Sequence, residues 1–260
     1  MDPSSVVVTF GEALLTYKPV PPDVSTPTSV DKLSGGTSVM LQAVGGAELN
    51  VAVALSQIGV PAQWASVLPS GALGDIVDRA ARVAGVDMGA VLRYGNEMGT
   101  LHVVDDGSGP RPQYQRLQSA FCQHVREETF DWDAILAGKR WLHLTGITPP
   151  LGVGPRASWL AALEAARSHN VQVFLDLNHR PALGPFDELW SLVASKLQCI
   201  SLLMLSEDSL VKLARKYEVM LIPSPLRCAW WWCGCLYPLG LSPSPSPHLP
   251  LPISLSPSPS

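Results

Sequence analysis

An apolar run, Val171-Gln172-Val173-Phe174-Leu175, leads into Asp176-Leu177-Asn178-His179-Arg180-Pro181. A guanidinium at the end of such a run is a planar, multi-donor fork matched to a carboxylate. A solute bearing a carboxylate needs such a partner, whereas a neutral one does not. Asp176 and Arg180 can equally form a structural ion pair at a strand end. Earlier in the chain, Tyr114 and Arg116 stand two apart in Gln113-Tyr114-Gln115-Arg116-Leu117-Gln118-Ser119-Ala120. On a strand that spacing puts both on one face, where Arg116 is a second cation for an anionic solute.

A third constellation is Gly45-Gly46-Ala47-Glu48-Leu49-Asn50-Val51-Ala52-Val53-Ala54-Leu55, closing at Gly59. A Gly-Gly pair lets backbone approach a solute closely, because no Cβ intrudes. Asn50 falls in the first turns of the helix that follows. Its amide and the free N–H groups of that helix start can bind hydroxyls or an anion. Helical spacing puts Ala47, Asn50 and Ala54 on one face. It puts Val51, Leu55 and Ile58 on another, expected to pack on a sheet.

These residues need a scaffold of alternating strands and helices. Strands are expected at 6–10, 62–68, 101–104, 113–116, 140–144, 171–176 and 200–205. Helices are expected from Gly45 to Gly59 and at 72–84, 155–169 and 186–196. Asp105-Asp106-Gly107-Ser108-Gly109 is a turn signal between two of the strands. Such alternation implies an α/β fold of parallel βαβ units. Ligands in these sheets bind at the carboxyl ends of the strands, where Asp176 to Arg180 fall. His143, inside an apolar strand, reads as a core histidine with no catalytic role.

Composition narrows the classes. The chain has 260 residues and a net charge of −4, which argues against a nucleic-acid binder held by phosphate contacts. No basic region precedes Val6-Val7-Val8, so the N-terminus does not read as a signal peptide. Isolated Cys122 and Cys199 fit a reducing compartment, and the expected location is cytoplasmic. Composition breaks near Met220: in 221–260 the only formal charge is Arg227, and Ser-Pro repeats dominate. Proline at that density permits neither helix nor inner strand, so a polyproline-like or disordered tail is expected. The apolar run 229–241 is too short to span a membrane. Cys228, Cys233, Cys235 and His248 match no common zinc spacing. A G-x-x-x-x-G-K-[ST] phosphate loop, a G-x-S-x-G elbow and an H-E-x-x-H zinc helix are all missing from the sequence.

The Gly45 to Gly59 run resembles the first signature of the PfkB (ribokinase-like) carbohydrate kinases. Its Glu after Gly-Gly-Ala is most similar to the 2-keto-3-deoxygluconate kinases. Asp176 to Arg180 resembles their D-x-N-x-R segment, and Tyr114 to Ala120 their Y-x-R-x-x-S-A segment. His143 to Thr148 is similar to their H-x-S/T-G-I-T run. The resemblance covers roughly Val6 to Glu218. It implies a ribokinase-like parallel-sheet sandwich with a small β lid, incomplete at the C-terminus. Residues 1–220 would be a partial kinase domain, with lid segments near 12–44 and 98–120, and 221–260 a low-complexity tail. The implied reaction is ATP-dependent phosphorylation of a sugar acid such as 2-keto-3-deoxygluconate.

By the same resemblance, Gly45, Gly46, Asn50, His102, Tyr114, Arg116, Asn178 and Arg180 are substrate-binding. Arg180 would help hold the sugar-acid carboxylate. His102 departs from the family's frequent aromatic and reads equally as a polar face residue of the lid. Ser206 is nucleotide-binding, standing where the family's N-x-x-E segment has Asn, with Ser209 at its Glu. ATP and magnesium are the implied cofactors, and a homo-oligomer through the lid is the implied assembly. The family's G-A-G-D motif supplies an anion hole and a catalytic base. No such motif stands in these residues, and no Asp or Glu follows Glu218. Little kinase activity is therefore expected of them. Two other readings stay open: a fructokinase-like or other neutral-sugar kinase, and a non-catalytic sugar-acid binder or pseudokinase.

Overall fold

The computed structural model describes residues 5–19, 40–105 and 109–219, with three short strands beyond them at 221–223, 237–238 and 253–255. The central sheet is built from β1 (Val7–Phe10), β4 (Ala62–Leu68), β5 (Asp87–Arg93), β8 (Trp141–Thr145), β9 (Gln172–Asp176) and β10 (Leu202–Met204). All six run parallel in the order β10-β9-β8-β1-β4-β5. A parallel sheet buries both faces, so its strands read as near-continuous apolar runs.

Alternation along β4 shows how the faces divide. Ala62, Trp64 and Leu68 share a core with Leu49, Ala52, Val77 and Ala81, from α1 (Ala47–Gln57) and α2 (Ala72–Val83). Ala65 and Val67 face the opposite core. There they join Phe121 of α3 (Ala120–His124), Trp132 of α4 (Trp132–Leu136), Trp159 of α5 (Val153–Ser168) and Trp190 of α6 (Phe186–Ala194). Phe10 anchors that side, with ring centroids 5.5 Å from Phe121 and 5.0 Å from Trp132. The result is a helix–sheet–helix sandwich.

The second sheet is separate and smaller. It comprises β2 (Leu14–Pro19), β3 (Met40–Gly45), β6 (Thr100–Asp105) and β7 (Pro110–Gln115), in the order β3-β2-β6-β7. Gly11–Ala13 leads from β1 into it, and Gly46 returns the chain to α1. Residues 94–99 lead from β5 into it again, and 116–119 return to α3.

Two details differ from the sequence expectation. On α1 the buried residues are Glu48, Leu49 and Ala52, whereas Ile58 is 76% exposed. Small apolar side chains occur all round this helix, so its periodicity carries little contrast. The turn at Gly46 sets which face meets the sheet. In the tail, β12 (Tyr237–Pro238) pairs antiparallel with β10, and β11 (Leu221–Pro223) pairs parallel with β13 (Ile253–Leu255). All three are edge strands, where proline's missing donor is tolerated. The other tail residues, including Cys228, Cys233, Cys235 and His248, lie outside the described residues, as does 20–39.

Candidate functional site

Strand order reverses at β1: the chain proceeds from β1 toward β4 and β5 on one side, and from β8 toward β9 and β10 on the other. Outside the carboxyl ends of β1 and β8 lies the crevice where doubly wound sheets place their ligands. Gly11 follows β1 there and Thr145 ends β8. Between them sits Glu48, from the first turn of α1 and 1% exposed. Thr145 Oγ1 donates to its carboxylate at 2.6 Å and Thr148 Oγ1 at 3.1 Å. A Cβ on Gly11 would overlap that carboxylate, so glycine is required at this point of close approach. Burial pushes the Glu48 carboxyl up to about 7, against the pull of both hydroxyls.

A second buried acid stands beside it. Glu12 is 4% exposed and accepts from Arg116 Nε at 2.8 Å and Nη2 at 2.5 Å, and from Ser119 Oγ at 2.5 Å. Burial raises its carboxyl above the ordinary carboxylate range, opposed by the Arg116 charge. Burial likewise lifts the Cys122 thiol, 3.9 Å from Glu12, to about 11, which leaves it unreactive. Sequence reasoning assigned no role to either acid. Their only signals are single residues, Glu12 after Gly11 and Glu48 after Gly46, whose partners are remote in the chain.

The substrate-binding residues expected from sequence fall in three places. Around the first crevice, Gly45 ends β3 and Gly46 caps α1 with φ 148°. Asn50 is exposed on the helix, its N–H bonded to Gly46 O at 2.8 Å. On the small sheet, His102 pairs with Tyr17 of β2 and stacks on it at 4.9 Å. Tyr114 is exposed on β7, with the Arg116 guanidinium 5.8 Å from its ring centre. Arg116 itself lies just past the strand, with its Nε and Nη2 committed to Glu12.

The third place follows β9. Asn178 takes a left-handed turn at φ 40° and donates its N–H to Asp176 Oδ1 at 3.0 Å. Burial raises the Asp176 carboxyl, against Asn178 and the Arg180 charge. Arg180 lines a cleft of about 510 Å3 together with Gly146, Arg156, His179, Asp187 and Glu188. Two arginines there can face an anion, with the acids of α6 beside them. His143 is buried against Phe174, and burial lowers its imidazole to about 4, a neutral core residue.

Ser206 is the N-cap of α7 (Glu207–Lys216): its Oγ accepts from Ser209 N at 3.2 Å and donates to Ser209 Oγ at 2.9 Å. Asp208 is paired with Lys212 at 2.6 Å. No group of three metal-ligating side chains occurs among the described residues. Ser206 and Ser209 present hydroxyls, not the carboxylate by which magnesium is usually held.

The pfkB family carbohydrate kinase model matches residues 6–216. The chain belongs to the pfkB family. Within it, this pfkB chain is 29% identical over 200 residues to a 2-dehydro-3-deoxygalactonokinase of Haloferax volcanii, covering 75% of this chain and 57% of that one. It is 28% identical over 152 residues to the 2-dehydro-3-deoxygluconokinase of Bacillus subtilis, covering 57% and 46%. The chain thus spans about half the length of these relatives. Among solved pfkB structures, the 2-dehydro-3-deoxygluconokinase of Thermotoga maritima superposes with a TM-score of 0.67 at 30% identity, covering 82% of this chain and 69% of that one. The fructokinase of Xylella fastidiosa, solved with bound ATP, superposes with 0.69 at 25% identity, covering 83% and 65%. The fold is the ribokinase-like α/β sandwich with a small β lid. No described helix is long and apolar enough to cross a membrane.

Proposed function

We propose that this pfkB chain binds a sugar acid of the 2-keto-3-deoxygluconate class at the carboxyl ends of its parallel strands, beneath the lid sheet. The observation that carries this reading is Arg180, set just past β9 on the cleft shared with Arg156. A guanidinium there matches a carboxylate in geometry and charge. The names of the Haloferax, Bacillus and Thermotoga relatives point to the same substrate class. Gly45, Gly46, Asn50, His102, Tyr114 and Asn178 would shape the sugar side. Arg116 would act from the lid margin, oriented by Glu12.

The full family reaction, phosphorylation from ATP, needs charge stabilisation at the transferred group and a base for the attacking hydroxyl. Residues 1–260 carry no G-A-G-D motif, and Ser206 serves as a helix cap. On this reading residues 1–260 by themselves bind the sugar acid with negligible transfer, and the proposed setting is cytoplasmic.

Calorimetric titration of 2-keto-3-deoxygluconate and of fructose into the 260-residue chain tests the substrate. The sugar acid is expected to bind, fructose to bind far more weakly, and Arg180→Ala to weaken the acid about 10- to 100-fold, as loss of a charged hydrogen bond does. Equal binding of both sugars supports the fructokinase-like reading instead. ADP release with ATP and magnesium is expected at background, and turnover near one per second, within the ordinary enzyme range, overturns the inactive reading.

A further inference from the structure

The chain crosses between the two sheets four times, at 11–13, 46, 94–99 and 116–119, and all four crossings touch one residue. Glu12 lies in the first. In the second, a Cβ built on Gly46 would stand 2.5 Å from the Glu12 carbonyl oxygen. In the third, a Cβ built on Gly99 would stand 2.7 Å from Glu12 Oε1, and Gly99 O accepts from Leu15 N at 3.0 Å. In the fourth, Arg116 and Ser119 both donate to the Glu12 carboxylate. The third crossing is also tied to the start of α3, where the fourth ends, Ala120 N donating to Glu97 O at 2.8 Å.

We propose that Glu12 is the pin of the lid hinge, a positioning residue that sets how the four-stranded lid stands over the strand ends. A carboxylate has acceptor positions for several donors at once, so one side chain can clamp both the Arg116 fork and the Ser119 hydroxyl. Glycine at 46 leaves room for the backbone carbonyl of Glu12, and glycine at 99 for the Leu14 side chain and the Glu12 carboxylate. The fork fixes direction as well as distance. Swinging the lid away from the strand ends would strain the Arg116 fork and the Ser119 bond on Glu12. The inference is independent of which sugar the cleft takes.

Hydrogen–deuterium exchange of the whole chain, read by mass spectrometry, tests this. Glu12→Gln keeps shape and one acceptor but removes the charge that holds the fork. It is expected to raise amide exchange in β2, β3, β6 and β7 about 10-fold or more, since local opening is governed by the contacts it breaks, while β1, β4, β8 and β9 stay within about 2-fold. Ser119→Ala, which leaves the Arg116 pair intact, is expected to act in the same direction more weakly. A parallel rise in both sheets would show general destabilisation and overturn the proposal, as would no change in the lid. If Glu12→Gln does not fold, Ser119→Ala decides alone: selective lid exchange supports the pin, and uniform or unchanged exchange refutes it.

Discussion

Thr145 and Glu48, 97 residues apart, close the crevice between β8 and α1 through a 2.6 Å hydrogen bond, with Thr148 completing the clasp at 3.1 Å. The Glu48 carboxyl is wholly enclosed, and its proton is held to about pH 7 instead of 4.5. The folded state thus binds a proton over a range where the unfolded chain has released it. Stability from this group is complete below pH 4.5 and is lost as pH rises through 7, by about 3 kcal/mol at most. Glu48→Gln is expected to melt near the native chain at pH 5 and above it at pH 8. Scanning calorimetry across that interval checks this, and a difference that stays constant with pH contradicts it.

The Glu12–Arg116 pair, 2% and 9% exposed at its side chains, makes a second prediction. Arg116→Ala leaves a buried acid without its cation and is expected to cost about 3–5 kcal/mol. Urea unfolding at neutral pH measures it. A loss below 1 kcal/mol would mean that water reaches Glu12 and the pair is a surface one.

The two adjacent glycines separate cleanly. At Gly46, φ 148° and the nearby Glu12 carbonyl both exclude a side chain, so Gly46→Ala is expected to cost about 2 kcal/mol or more. At Gly45 the nearest atom to a new Cβ is Thr16 Oγ1 at 3.6 Å, an ordinary contact, and Gly45→Ala is expected to lie within about 0.5 kcal/mol of the native chain. Equal losses at the two positions would contradict the geometry.

Ser206→Ala removes the cap of α7 and is expected to cost about 1 kcal/mol, measured in the same unfolding assay. Any effect on nucleotide affinity beyond that of an equally destabilising change elsewhere would give Ser206 a binding role besides its capping one.

Much of the scaffold was legible in the sequence. β4 spans 62–68 as its apolar run predicts, and α5 and β9 begin within two residues of their expected starts. These elements are buried on matching faces and bounded by turn residues, so local pattern suffices. β5 was missed because Asp87, Gly89 and Arg93 break its apolar run. Arg180 stands out in the sequence as a cation shortly after an apolar run, and the structure sets it four residues past β9 on a cleft with Arg156. The acid side of the site does not stand out. Glu12 and Glu48 look like solvated charges until the fold brings Arg116, Ser119, Thr145 and Thr148 to them, and no local spacing encodes those meetings. The same holds for Arg116, whose type suggests a ligand contact but whose fork is engaged by Glu12.

The reach of these contacts also shapes how the chain is made. Glu12 waits 104 residues for Arg116, and Glu48 waits 97 for Thr145 and 100 for Thr148. On a ribosome both carboxylates emerge long before any group that satisfies them. Pairings of such high sequence separation fold slowly and leave unfinished strand edges exposed meanwhile. A nascent chain that stops short of Arg116 has lid strands that lack the donors Glu12 will accept from. The lid, which begins at residue 14, is secured only once residues 116–119 have been synthesised.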